Sequence, residues 1–343
     1  MRKFFLVLLF FYFTEYRGYD QTYKADKTAF FEDTSILNAT LTADIIHLER
    51  QRNKEGKQYA GHFSFALPGD SLIDAPVVLE IRGHMRKEIC EIPPIRINFK
   101  EQKNSPLHKL GSLKLVNQCR TSNIGQDYLI REYLIYKMYN LITDMGFRVR
   151  LLKLTLADSS GKKKPVTEYA FLVEDIKDLA RRNNCTEFKI AKFDQRRTDP
   201  RQMTIVAIFE YMIGNTDWGI SANHNTRLIK SAGDSLARPY VVPYDFDYAG
   251  LVNADYAVAD ENLGITSVRD RLYRGFPQTM DQLNDVVDIF KKQKGNIYAL
   301  INGCNLISSA SKKDMTLYLD DFFDVIKDPR SVKNTFIDNA RRE

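Results

Sequence analysis

The chain has little of what builds linkers, staples or metal knuckles. Its 343 residues include 17 Gly, 11 Pro, 4 Cys and 1 Trp. Such low Gly and Pro exclude a collagenous chain and long low-complexity linkers. The cysteines stand at 90, 119, 185 and 304 with no C-x-x-C pair, so a zinc or thioredoxin-like reading fails. There is no zinc-finger spacing, no RNA-recognition signature and no basic arm. The net charge of +6 is spread along the sequence. Nucleic acid is therefore not an expected partner. A typical glycine-rich phosphate loop is also missing; Gly83 and Gly111 stand alone.

What is present is an ordinary globular composition, 44% hydrophobic and 27% charged. At this length it predicts one large domain or two ordinary ones, with a core that needs no disulfide. Arg2-Lys3 is followed by an apolar run over residues 4–13. The run is short for a membrane-spanning helix and matches a secretory signal, although no A-x-A cleavage site follows it. Residues 1–18 read as a signal peptide or an uncleaved membrane anchor. Either one predicts an exported chain: periplasmic, cell-surface or secreted. Disulfides are permitted there. The spacing assigns no pairing, but Cys90 and Cys119 are read as lying in neighbouring expected strands and are the pair to test.

Short apolar bursts mark residues 19–77 as β-rich, among them Ile45-Ile46-His47-Leu48 and the strand before the Pro68-Gly69-Asp70 turn. Strands are expected at 77–82, 95–99 and 111–116, the last carrying Lys114. A helix is expected over 126–145, ending at Gly146. Strands at 148–156 and 169–173 flank a turn at Asp158-Ser159-Ser160-Gly161. From Asp175 the periodicity is mainly helical. Asp199-Pro200 opens a helix through Met212. A loop follows to Asn225, then a strand at 240–242 and helices at 278–293, 297–307 and 312–326. The order predicts an α+β chain with a β-rich N-terminal section (19–77), a small β-rich lobe (78–174) and a helical lobe (175–343).

The chemistry concentrates in Gly214-Asn215-Thr216-Asp217-Trp218, His224-Asn225 and Asp245-Phe246-Asp247. Phosphoryl transfer needs a carboxylate at the acceptor hydroxyl, a neutral oxygen ligand for a metal and a second carboxylate on that metal. Asp217 and Asn225 share a loop after the 200–212 helix, and Asp245 follows a strand 28 residues beyond Asp217. Asp247 stands beside Asp245, and two acids in one tight turn repel unless a cation lies between them. Upstream, Lys114 on a strand is suited to phosphates, and Glu132 on the following helix is placed to pair with it. Arg82 and Arg86 are the substitutes for a glycine-rich clamp. Trp218 reads as a packing residue, and His224 as a structural hydrogen-bonding partner of the loop. Glu174 and Asp175 end the strand that joins the lobes, with solvated side chains. Arg269 and Arg271 read as an acceptor-phosphate site or as a salt-bridged helix start.

Together, Gly-Asn-Thr-Asp-Trp, His-Asn and Pro243-Tyr244-Asp245-Phe246-Asp247 resemble the CotH-type family of atypical protein kinases. Arg82-Gly83-His84-Met85-Arg86 and Pro94-Ile95-Arg96-Ile97 resemble that family's strand-turn and next strand. The resemblance covers about residues 78 to 300. It implies a two-lobed protein-kinase-like fold, ATP with Mg or Mn, and phosphorylation of protein Ser or Thr. It also implies Asp217 as the catalytic residue, Lys114 with Glu132 on the phosphate side, and Asn225 with Asp245 on the metal. The chain departs from the family pattern at Gly219-Ile220-Ser221-Ala222-Asn223, which sets Asn225 eight residues past Asp217. Asn223 therefore competes for the metal role. Two other classes stay open: a pseudokinase, and a cell-surface structural or adhesion protein.

Overall fold

Seven strands from the first half of the chain close into a barrel. The computed structural model describes residues 27–54, 56–66, 72–83, 85–99 and 106–341. The expected signal or anchor and the Pro68-Gly69-Asp70 turn lie outside the described residues. Helix α1 (Lys27–Glu32) precedes β1 (Leu37–Ala43), and α2 (Ile45–Arg50) precedes β2 (Gln58–Ala66) and β3 (Leu72–Ile81). Then come α3 (Met85–Ile89), β4 (Ile95–Asn98), β5 (Ser112–Asn117), α4 (Asn123–Ile142), β6 (Val149–Asp158) and β7 (Val166–Val173). The burst at residues 45–48 is helix, not strand. The Asp44 carboxylate accepts from the His47 amide at 2.9 Å and caps it.

The barrel order is β1-β2-β3-β4-β5-β7-β6. Antiparallel pairing runs round it until β1 meets β6 in parallel, from Leu37 opposite Leu152 to Ala43 opposite Asp158. Alternating residues point inward. Leu41, Phe63, Leu79, Ile97, Leu113 and Leu154 are fully buried there, each contributing about 1.5–3 kcal/mol.

This closure corrects the expected fold class. The two-lobed protein-kinase-like fold with an appended N-terminal β-rich section does not form. Residues 37–81 instead supply three staves of the same barrel as β4–β7, and the boundary expected at 77/78 falls inside β3. Period-two alternation identifies a half-buried strand but not the edge it will meet. The deciding pair, β1 with β6, joins residues more than 100 positions apart.

The end of β5, the start of β6 and the end of β7 are buried on both faces. Leu115, Leu152 and Leu172 face the barrel interior, whereas Val116, Leu151 and Phe171 belong to a second core shared with α4. Beyond α4 the chain is mostly helical, with α5 (Ile176–Arg182), β8 (Cys185–Glu187), α6 (Pro200–Ile213), β9 (Thr226–Ser231) and β10 (Tyr240–Pro243). The chain ends in α7 (Met280–Gly303), α8 (Ser309–Lys327) and α9 (Pro329–Lys333). Strands β10-β9-β8 form a small antiparallel sheet. The two helices expected at 278–293 and 297–307 are one helix, α7. Its Thr279–Gln282 capping box secures the start, and the apolar face continues through Ile297 and Ile301. Among the described residues no helix is long and apolar enough to cross a membrane.

Cys90 and Cys119 form a disulfide with a sequence separation of 29. It ties the end of α3 to the segment between β5 and α4. Closing a loop of that length restricts the unfolded chain by about 3–4 kcal/mol. Replacing both cysteines with Ser is expected to remove stability of that order. Urea unfolding would report it as a lower midpoint; an unchanged midpoint would show the link to be dispensable.

Candidate active site

The site begins on the outer face of β5. Leu113 and Leu115 point into the barrel, so Lys114 points out, opposite Arg96 on β4 and Val173 on β7. Its ammonium lies 4.0 Å above the Tyr244 ring centre. Two arginines are fastened to the same strand. Arg82, just past β3, donates to the Leu115 carbonyl at 3.1 Å, and Arg86 on α3 donates to the Asn117 carbonyl at 2.6 Å. Burial, then the charges of Arg82, Arg227 and Arg96, lower the Lys114 pKa to about 7, with Asp245 partly opposing them.

Helix α4 brings the acids. Glu132 is almost fully buried, and its carboxylate lies 4.0 Å from Arg86 Nη1. The same nitrogen is 3.9 Å from Asp247 Oδ2. Glu132 thus pairs with Arg86, not with Lys114 as the sequence order suggests. The order along the chain cannot tell which of three neighbouring cations reaches the helix. Burial and then the Asp247 charge push the Glu132 pKa well above the ordinary carboxylate range. Burial and then Asp245 raise Asp247 to about 6, although Arg86 opposes them. One helical turn after Glu132, the Tyr136 hydroxyl accepts from the Asp245 amide at 2.8 Å. Tyr256 donates to Asp247 at 3.2 Å.

The remaining groups come from two loops. Helix α6 stops at Gly214, whose φ of 66° is left-handed. A Cβ there would collide with the Tyr318 hydroxyl. The Asn215 side chain accepts from the Asp217 amide at 3.0 Å. Arg274 donates to the carbonyls of Thr216, at 2.6 Å, and Trp218. Trp218 is buried beneath this loop, as expected of a packing residue. The Gly219–Asn223 insertion closes on itself through reciprocal backbone hydrogen bonds of 2.9 Å between Gly219 and His224. That loop absorbs the extra residues and returns Asn225 to Asp217. The Asn225 side-chain Nδ2 donates to the Asp217 carbonyl at 2.7 Å and to its carboxylate at 3.0 Å. His224 Nε2 lies 2.6 Å from the other carboxylate oxygen. Asn223 turns away and donates to the Ile190 carbonyl, so Asn225 holds the inner position.

The loops are joined to each other. The Tyr244 amide donates to the Asn225 carbonyl at 3.0 Å, and the Gly250 amide to the Gly214 carbonyl at 3.0 Å. Asn225 and Asp245 have φ values of 50° and 68°. Left-handed backbone at non-glycine residues costs energy and is concentrated at functional sites.

Lys114, Arg82, Arg86, Glu132, Asp217, Asn225, Asp245 and Asp247 therefore converge on one region, through the contacts above and through the charge of Asp245 acting on Arg82 and those of Asp245 and Asp217 acting on Asp247. A cleft of about 350 Å³ opens beside Lys114, lined also by Arg96, Phe147, Val173, Arg227 and Tyr244. Among the described residues no three His, Cys, Asp or Glu side chains form a metal-binding group. The hard oxygens of Asp245, Asp247 and Asn225 nevertheless suit Mg²⁺, which commonly takes one or two carboxylates and completes its shell with phosphate and water.

Other expectations fare differently. Glu174 is buried and paired with Arg182 at 3.0 Å, and Asp175 caps α5, so neither side chain is simply solvated. Arg269 and Arg271 lie over the Tyr318 ring and pair with Asp314 and Asp321, which commits them to α8 instead of an acceptor phosphate. Tyr136, Tyr256, Arg96, Arg227 and Arg274 were not singled out from the sequence. The spacing of Tyr136 from Glu132 was the available signal for one of them. Nothing local marks Arg274. No protein-family model and no curated protein matches this chain.

Lys114 is costly where it stands. Replacing it with Met should raise the melting temperature at pH 7. The folded-state pKa is depressed, so the unfolded chain holds the extra proton between about pH 7 and 10.5. Wild-type stability therefore gains relative to Lys114→Met as pH rises through that window. Thermal melts of both proteins at several pH values would check this; a difference that stays constant with pH would refute it.

Proposed function

We propose that this protein is an exported phosphotransferase that moves the γ-phosphate of ATP to a protein Ser or Thr hydroxyl with Mg or Mn. The observation that carries the reading is the junction of two acid-bearing loops at left-handed Asn225 and Asp245, opposite an excess of buried cations around Lys114. That excess suits a polyphosphate, whose charge Lys114, Arg82 and Arg86 would offset. Asp217 would orient the acceptor hydroxyl and take its proton as the new O–P bond forms and the bond to ADP breaks. Asn225, Asp245 and Asp247 would hold the divalent cation, which supplies charge neutralisation at the phosphates. The resemblance to CotH-type kinases supports the same roles. The Cys90–Cys119 disulfide and the Arg2-Lys3 apolar start support an oxidising, exported setting.

A second reading is a non-catalytic nucleotide binder at the cell surface. It draws on the Asp217 carboxylate, whose two oxygens are both engaged, by His224 and Asn225. One experiment separates the two. Thermal shifts would be measured with ATP, with and without Mg²⁺ or Mn²⁺, on wild type, Asp245→Ala and Asp217→Asn. A ligand at about 100 times its dissociation constant adds roughly 2.7 kcal/mol, a visible shift. The expected result is a metal-dependent shift that Asp245→Ala loses and Asp217→Asn keeps. Phosphate transfer to a mixed protein substrate should fall about 100-fold or more in Asp217→Asn. Binding without turnover in wild type would favour the second reading. No shift under any condition would defeat both.

A further inference from the structure

Beside the Asp217 loop lies a second groove, of about 500 Å³, lined by Phe188, Lys189, Ile190, Asn223, Arg227 and Leu228. It shares Lys189 and Arg227 with the Lys114 cleft, so the two are continuous. One wall is the chain just after β8, the edge strand of the small sheet. Pairing with β9 extends one residue past β8, where the Phe188 amide donates to the Leu228 carbonyl at 2.8 Å. Beyond it, the amides of Lys189, Ile190 and Ala191 have no hydrogen-bond partner among the described residues. Alternation along a strand turns the polar groups of Lys189 away from β9, toward the open edge. The segment is nonetheless held, because Asn223 donates to the Ile190 carbonyl at 2.9 Å. Asn223 belongs to the loop that carries Asp217 and Asn225. An open backbone edge is thus held by the same loop that carries the candidate catalytic carboxylate.

We propose that this edge binds the acceptor as an extended acidic peptide, added as a short strand beside Lys189, before the chain bends at Ala191 and Lys192; the acceptor role rests on the phosphotransferase reading. Free backbone groups supply the affinity of strand addition, and side-chain pockets supply selection. Charge decides the peptide class. Lys189 and Arg227 line the groove, exposed Lys192 follows at its end, and Lys177 lines the adjoining cleft. Of the acids lining the groove and the adjoining cleft, Glu187 is already 3.4 Å from Lys189, Glu174 is paired with Arg182, and Asp175 caps α5. Exposed Ile190 offers an apolar contact between the cations.

The test is fluorescence anisotropy on the whole chain with no nucleotide present. The probes are a labelled peptide Glu-Glu-Asp-Ser-Glu-Glu-Asp, its counterpart with Lys at every acidic position, and the acidic peptide N-methylated at alternate amides. The acidic probe should bind at least tenfold more tightly than either of the others. The double variant Lys189→Glu, Lys192→Glu changes two exposed side chains and should weaken the acidic probe at least tenfold at an unchanged melting temperature. Equal binding of acidic and lysine probes would overturn the charge argument. Indifference to N-methylation would overturn strand addition, and no binding by any probe would overturn both. An ATP and Mg²⁺ thermal shift on the same samples reports on the phosphotransferase reading separately. Nucleotide binding without peptide binding defeats this inference alone, whereas peptide binding without nucleotide binding defeats the phosphotransferase reading.

Discussion

Arg86 is the residue on which the site depends. Its guanidinium reaches the end of β5, Glu132 of α4 and Asp247 of the loop after β10. It therefore joins the barrel, the central helix and the helical half of the chain at one point. Buried ions each cost several kcal/mol unless partners replace the lost water. Arg86 is replaced well: burial would lower its pKa, but Tyr256, Asp247 and Glu132 hold it above the usual arginine value. The same burial keeps Glu132 and Asp247 short of cations, because one guanidinium serves both. A protein built only for stability would fill such a space with apolar side chains.

The barrel makes that arrangement possible. The end of β5 is covered on both faces and hydrogen-bonded to β4 and β7, so it is a fixed ledge. Lys114, Arg82 and Arg86 all sit on it or fasten to its carbonyls. On the other side, backbone hydrogen bonds tie the α6–β9 loop to the chain after β10, and Tyr318 of α8 packs against both glycines at that tie. Strained residues at 225 and 245 persist because rigid neighbours hold them from each side.

Much of this was legible along the chain. The apolar neighbours Leu113 and Leu115 marked Lys114 as part of a packed strand, and the α6 start at Asp199-Pro200 follows local chemistry that short segments obey by themselves. The eight site residues were readable as types in order. Their pairing was not. Glu132 meets Arg86 because α3 folds back beneath β5, and no local pattern encodes that return. The insertion at 219–223 looked like a disturbance of the Asp217–Asn225 spacing. In space it is a closed turn that brings the Asn225 side chain back to Asp217. Two expected helices became α7 because an apolar stripe outweighed the helix penalty of Gly295.

The sequence by itself determined the local elements, the inward and outward faces of the strands, and the kinds of chemical groups available. Those depend on residues within a turn or two of one another. Tertiary structure alone decided that the sheet closes, that residues 37–81 belong to it, and which cation neutralises which acid. These outcomes rest on pairings across more than 100 residues and on burial that exists only once distant segments have packed. Periodicity carries the first kind of information, and only the finished core carries the second.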